Sequence, residues 1–140
     1  MRFALVATAA AVCFFAGAAQ AATMHYGATL KGADEVPANT TAGTGKVEAT
    51  LDTATKAFSY TITYSGLTGP ATAGHFHGPA APGANAGPQV PVVVSPSPIK
   101  GTATLTDAQI ADLNAGKWYF NIHTMAHPPG EIRGQLAEMK

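Results

Sequence analysis

The side chains best suited to chemistry are histidines in two short stretches, "AGHFHGPAAPG" (Ala73–Gly83) and "NIHTMAHPPGE" (Asn121–Glu131). His75 and His77 stand at i and i+2, positions that project from the same face of a β-strand. Their imidazoles can then reach one ion, with Phe76 turned into the opposite layer. His123 and His127 form a second set around Met125, and these three share a face for as long as a strand persists. Pro128-Pro129 ends such a strand near His127 and leaves that side chain in a loop. Three or four neutral imidazoles without a thiolate suit Cu(II) or Zn(II), and the Met125 thioether adds a soft ligand acceptable to Cu(I). The bland alternative is a polar histidine cluster that hydrogen-bonds loop carbonyls. Spacing alone leaves both open.

Other candidates are weaker. Glu131 and Arg133 alternate in "GEIRGQ" around Ile132, and a buried or rim ion pair is favoured there over a catalytic role. Asp34-Glu35 in "GADEVP" is expected to be a solvated turn, although Glu35 could approach the histidines. Trp118, Tyr119 and Phe120 are expected in the core. No nucleophile–base arrangement is visible: the chain has no G-x-S-x-G and no paired-carboxylate signature. The residues favour a non-enzymatic role and leave a redox activity at the histidines open.

The elements that must position these residues are short strands between Gly/Pro turns. "MHYGATLKG" (Met24–Gly32), "KVEATLD" (Lys46–Asp52) and "AFSYTITYSGL" (Ala57–Leu67) alternate apolar and polar residues, and the last two form a β-hairpin across "TATK". "TAGHFHG" is a short strand that ends at a bend. "QVPVVVS" reads as an edge strand because of Pro91. "IKGTATL", "KWYFNIHTM" and "GEIRGQLAEM" complete the set. Both histidine sets fall at C-terminal ends of strands, where neighbouring strands can bring them together. "LTDAQIADLNAGK" is the one helix: Thr106 and Gln109 make a capping box, Ile110 and Leu113 an apolar pair, and Gly116 suits the position after the C-cap. The pattern predicts an all-β, antiparallel sandwich or barrel with one short helix.

The N-terminal end predicts export. Met1-Arg2, an apolar run to Ala18 and the Ala19-Gln20-Ala21 site have the order of a secretory signal peptide over residues 1–21. Removing them leaves 119 of the 140 residues, a single domain over 22–140. The only cysteine, Cys13, goes with the signal, so the mature chain has no disulfide. Loss of Arg2 leaves seven basic side chains against eight acidic ones. That balance argues against nucleic acid as a partner, and no membrane association is expected after cleavage. All five histidines lie in the mature part.

The stretches "LKGADEVPA", "GTGKVEATLDTATKAFSYTITYSGLTGPATAGHFHGPAAPG", "LTDAQIADLNAGKWYFNIHT" and "HPPGEIRGQL" follow one another over nearly the whole mature chain. In them the sequence resembles the CHRD domain, a family named for its occurrence in chordin and found in many exported bacterial proteins. The resemblance implies an antiparallel Greek-key β-sandwich of immunoglobulin or superoxide-dismutase type, with no established enzyme activity. It implies histidines of the pattern at His75, His77, His123 and His127, the acid–base pair Glu131 and Arg133, and a Glu35-Val36-Pro37 turn. His25 lies outside the pattern. "GHFHG" is also similar to the copper-ligand H-x-H strand of copper/zinc superoxide dismutase. The chain lacks that enzyme's disulfide, and the loop Ala80–Gln89 has no His or Asp to build a zinc site. A copper-only site is what such a scaffold would retain.

Three functions remain at this level. The first is a periplasmic or secreted protein that binds copper, with zinc as the other candidate, through His75, His77, His123 and His127, and buffers or carries the ion. The second is a metal-free extracellular interaction module with an unidentified protein partner. The third is a copper-only, dismutase-like enzyme at the same histidines.

Overall fold

The computed structural model describes residues 20–140. Apart from Gln20 and Ala21, the signal segment expected at the N-terminus lies outside them. Among the described residues nine strands and one α-helix follow in order: β1 (Thr23–Lys31), β2 (Thr44–Asp52), β3 (Ala57–Ser65), β4 (Ala71–His77), β5 (Pro88–Val92), β6 (Ile99–Thr104), α1 (Asp107–Asn114), β7 (Tyr119–Thr124), β8 (Ile132–Gln135) and β9 (Ala137–Glu138). No helix among the described residues is long and apolar enough to cross a membrane.

All strand pairs are antiparallel, and the ladder runs β5-β4-β7-β8-β1-β2-β3-β6, with β9 beside β1. β1 and β8 are joined at one register pair, Lys31 with Arg133. The layers expected of a sandwich are thus two limbs of one continuous sheet that curls into a nearly closed barrel. Contacts across the interior show the curl. Phe58 and Tyr60 of β3 meet Phe76 of β4 at ring-centroid separations of 5.2 and 5.1 Å, although β3 and β4 share no ladder. The core also holds Tyr26, Leu30, Val47, Leu51, Ile62, Trp118, Phe120, Ile122 and Ile132. Full burial of a large apolar side chain contributes about 1.5–3 kcal/mol, so this aromatic centre holds the two limbs together.

Local signals act as expected. The hairpin β2–β3 pairs Thr44 with Ser65 through Leu51 with Phe58, and Asp52 Oδ1 accepts from the amides of Ala54 and Thr55 in its turn. In α1 the Gln109 amide donates to Thr106 Oγ1 at 3.2 Å, and the Thr106 amide donates to Gln109 Oε1 at 2.9 Å. Gly116 follows at φ +69°, the left-handed conformation that costs a glycine little. β5 is an edge strand, as Pro91 requires.

The strands that matter for the site are β4, β7 and β8. Period-two alternation turns Phe76, Phe120, Ile122 and Ile132 inward. It turns His75, His77, Tyr119, Asn121, His123, Arg133 and Gln135 to the other face. Much of that outer face is also covered: Tyr119, Asn121 and Arg133 are buried. The cover is the Pro/Gly-rich loop between β4 and β5. Arg133 holds it, with Nη1 donating to Asn85 Oδ1 at 2.9 Å and Nη2 to the Ala84 carbonyl at 2.6 Å.

Candidate metal centre

The β4–β7 register brings the two histidine stretches together. His75 pairs with Asn121, His77 with Tyr119 and Ala73 with His123. One ring nitrogen from each of His75, His77 and His123 lies within 4.8 Å of the others. His75 Nδ1 and His123 Nε2 are 3.4 Å apart. Two nitrogens bound to one tetrahedral ion at Zn-like distances are about 3.3 Å apart, so this separation suits shared coordination.

Loop carbonyls set the tautomers. His77 Nδ1 lies 2.9 Å from the Ala86 carbonyl, and His123 Nδ1 lies 2.9 Å from the Pro128 carbonyl. A carbonyl only accepts, so both Nδ1 atoms carry the proton and both Nε2 atoms present a lone pair. His123 Nε2 faces His75. His77 Nε2 is buried and meets no hydrogen-bond partner. Leaving such an atom unmatched costs about 1–3 kcal/mol.

Two of the rings, His75 and His77, are held toward the neutral form. Burial lowers the pKa of His75, and repulsion from His123 and His77 lowers it further. Burial does the same for His77; the Ala86 carbonyl and the nearby Asn121 side chain oppose it, while His123 and Arg133 reinforce it. His77 stacks on Tyr119 with centroids 4.8 Å apart and planes 3° from parallel, and the Arg133 guanidinium carbon sits 3.4 Å from the centroid of the same ring. In ladder order Tyr119 lies between them, so the phenol ring fixes the orientation of His77.

His127 is not gathered with the other three. β7 ends at Thr124, and a turn follows in which the His127 amide donates to the Thr124 carbonyl at 3.2 Å. The turn breaks the alternation that would have kept His127 on the face of His123. Met125, also past the strand end, is 84% exposed.

Two expectations require correction. Glu131 and Arg133 are both buried but do not pair with each other. Glu131 precedes β8, and its carboxylate accepts from Thr41 Oγ1 at 2.6 Å, Thr124 Oγ1 at 2.6 Å, and Thr68 N and Oγ1 at 2.8 Å each. It therefore does not brace an imidazole; the carbonyls of Ala86 and Pro128 do that. Glu35 is not solvated either. It is buried beside Gly130, where φ is +139° and any Cβ would strike Glu35 and the Asn121 amide. Burial pushes the Glu35 carboxyl up to about 7, against the pull of Arg133, Asn121 and the Val36 amide.

Sequence reasoning also missed Tyr119 and Asn121 as parts of this face. Their signal was parity: they stand four and two residues before His123 on an alternating strand. Asn121 Oδ1, like His77 Nε2, is buried without a partner.

The arrangement can hold a metal ion on three imidazoles. Burial holds His75 and His77 toward the neutral form, His77 and His123 are aimed by carbonyls, and no thiolate or carboxylate is among the donors. No curated protein and no solved structure is similar enough to this chain to be matched with it. The sequence profile of the CHRD domain matches residues 26–136, which runs from the middle of β1 past the end of β8 and includes every residue of the triad. The chain therefore belongs to the CHRD domain family.

Proposed function

We propose that this is an exported, periplasmic or secreted protein that binds one copper ion through His75, His77 and His123, and that buffers or carries it. The observation that carries this reading is the buried Nε2 of His77. Its ring is locked by Ala86 and stacked on Tyr119, yet its free nitrogen has no protein partner. A group held at such cost is explained by a ligand that satisfies it. Three imidazoles accept Zn(II) as well, but the Irving–Williams order favours Cu(II) at a site of this kind. Export agrees with the order of Arg2, the apolar run and the Ala19-Gln20-Ala21 site.

Metal analysis and Cu(II) titration of the purified protein test the proposal. The wild type is expected to take up one equivalent. Loss of an outer partner of a metal ligand already costs about 10–100-fold in affinity, so His75→Ala, His77→Ala or His123→Ala should cost about 100-fold or more. His127→Ala should leave affinity close to wild type. Binding requires neutral rings, so affinity falls with pH. Because the pKa values of His75 and His77 are lowered, the fall should come below the ordinary histidine range of about 6.5. A folded His75→Ala/His77→Ala variant with wild-type copper affinity would sink the proposal.

A further inference from the structure

Beside the triad is a cavity of about 320 Å³. Thr72, Ala73, His75, His123, Met125 and Pro128 are among its walls, and His77 is not. Two of the three imidazoles thus face an open space, while the third is tucked under the β4–β5 loop. One wall of the cavity is the small side chain of Ala73. Ala73 stands two residues before His75 on the same face of β4 and directly opposite His123 on β7. A larger side chain there would fill the space next to both rings.

Charge then selects what can enter. The three donors are uncharged, so a bound Cu(II) keeps its full 2+ charge. No acidic side chain lines the cavity. The buried carboxylate Glu131 is already committed to Thr41, Thr68 and Thr124. An unbalanced dication beside a largely apolar pocket that is open to solvent draws an anion from solution. The walls carry no cationic side chain and few hydrogen-bond donors, which disfavours dianions that must shed a large hydration shell.

We propose that the metal held by His75, His77 and His123 keeps one coordination position open toward this cavity, and that the position takes a small monoanion from solution. The inference rests on the copper reading above. It makes the centre an accessible, ligand-accepting site, the arrangement of metal sites with three protein ligands and an exchangeable fourth.

Azide is the probe. Wild-type protein carrying one equivalent of Cu(II) is titrated with sodium azide at constant ionic strength, followed by visible absorption and electron paramagnetic resonance. A saturable azide-to-copper charge-transfer band with a changed copper hyperfine pattern is expected, and sulfate should produce neither. Ala73→Leu should keep its copper but bind azide about tenfold more weakly or worse. His127→Ala, outside both the triad and the cavity walls, should respond as the wild type does. Copper bound with a spectrum that azide leaves unchanged overturns this inference alone. The same follows if Met125→Leu alters the copper spectrum before azide is added, since the thioether would then fill the position. A wild type that holds no copper overturns the metal reading as well.

Discussion

His123 and Thr124 are consecutive on β7, yet they serve opposite polar clusters. Thr124 turns inward and donates to Glu131, where two carboxylate oxygens accept four hydrogen bonds from Thr41, Thr68 and Thr124. His123 turns outward to His75, in a cluster where a buried nitrogen of His77 has no partner. Both clusters set polar groups into the fold. In the first, acceptors are matched by protein donors, and the carboxylate ties the segments near residues 41 and 68 to β7. In the second, three ring nitrogens converge, and one of them, His77 Nε2, is left without a protein partner. The matched cluster serves the fold, whereas the convergent one, with an unmatched nitrogen, is able to hold a metal ion.

That contrast is open to direct attack. The largest effect on stability belongs to Glu131→Ala. It strands three hydroxyl–carboxylate bonds and one amide bond in the interior, and a loss of about 3–5 kcal/mol is expected. Thermal unfolding should show it as a drop in Tm of more than about 10 °C, with copper affinity of the folded protein close to wild type. In contrast, His75→Ala/His77→Ala should cost at most about 1 kcal/mol, because lost stacking on Tyr119 is offset by removal of the unmatched nitrogen. If the two sets of variants exchanged these effects, the assignment of roles would be reversed.

A smaller effect comes from acid. Burial alone would raise the Glu131 carboxyl, but the hydrogen bonds from Thr124, Thr41 and Thr68 hold it down to about 2. A depressed carboxyl contributes stability that is present above its unfolded pKa and lost as pH falls through its folded one. The metal-free protein should therefore lose stability between about pH 4.5 and 2, as measured by urea unfolding across that range. Glu131→Gln should flatten this limb.

An effect of comparable size and opposite sign concerns the second buried carboxyl. Glu35 is raised to about 7 by burial, against Arg133 and Asn121. Here the sign is opposite: the folded state holds the proton more tightly, so stability declines as pH rises from the unfolded pKa, about 4.3, toward 7. Glu35→Gln should remove that decline, so that the variant gains on the wild type as pH rises to neutral. A wild type and variant with parallel profiles over this range would show that Glu35 ionises freely.

What the amino-acid sequence determined by itself is what depends on neighbours a few residues apart. The hairpin β2–β3 follows from the alternation of Val47, Ala49 and Leu51 with that of Phe58, Tyr60 and Ile62. The helix follows from Thr106, Gln109 and Gly116, whose caps close within four residues. That His75 and His77 share a face, and that the strand before Pro128 ends before His127, are local facts of the same kind. Only the tertiary structure decided which of the two histidine stretches' residues meet. It depends on the pairing of β4 with β7, whose partners lie more than forty residues apart and whose register places Ala73, and not a histidine, opposite His123. The fates of Glu131, Arg133 and Glu35 were hidden for the same reason. Their partners are Thr41, Thr68, Ala84, Asn85 and Asn121, brought from distant loops and strands. Alternation says which way a side chain points; the closing of the sheet and the packing of its loops decide what it finds there.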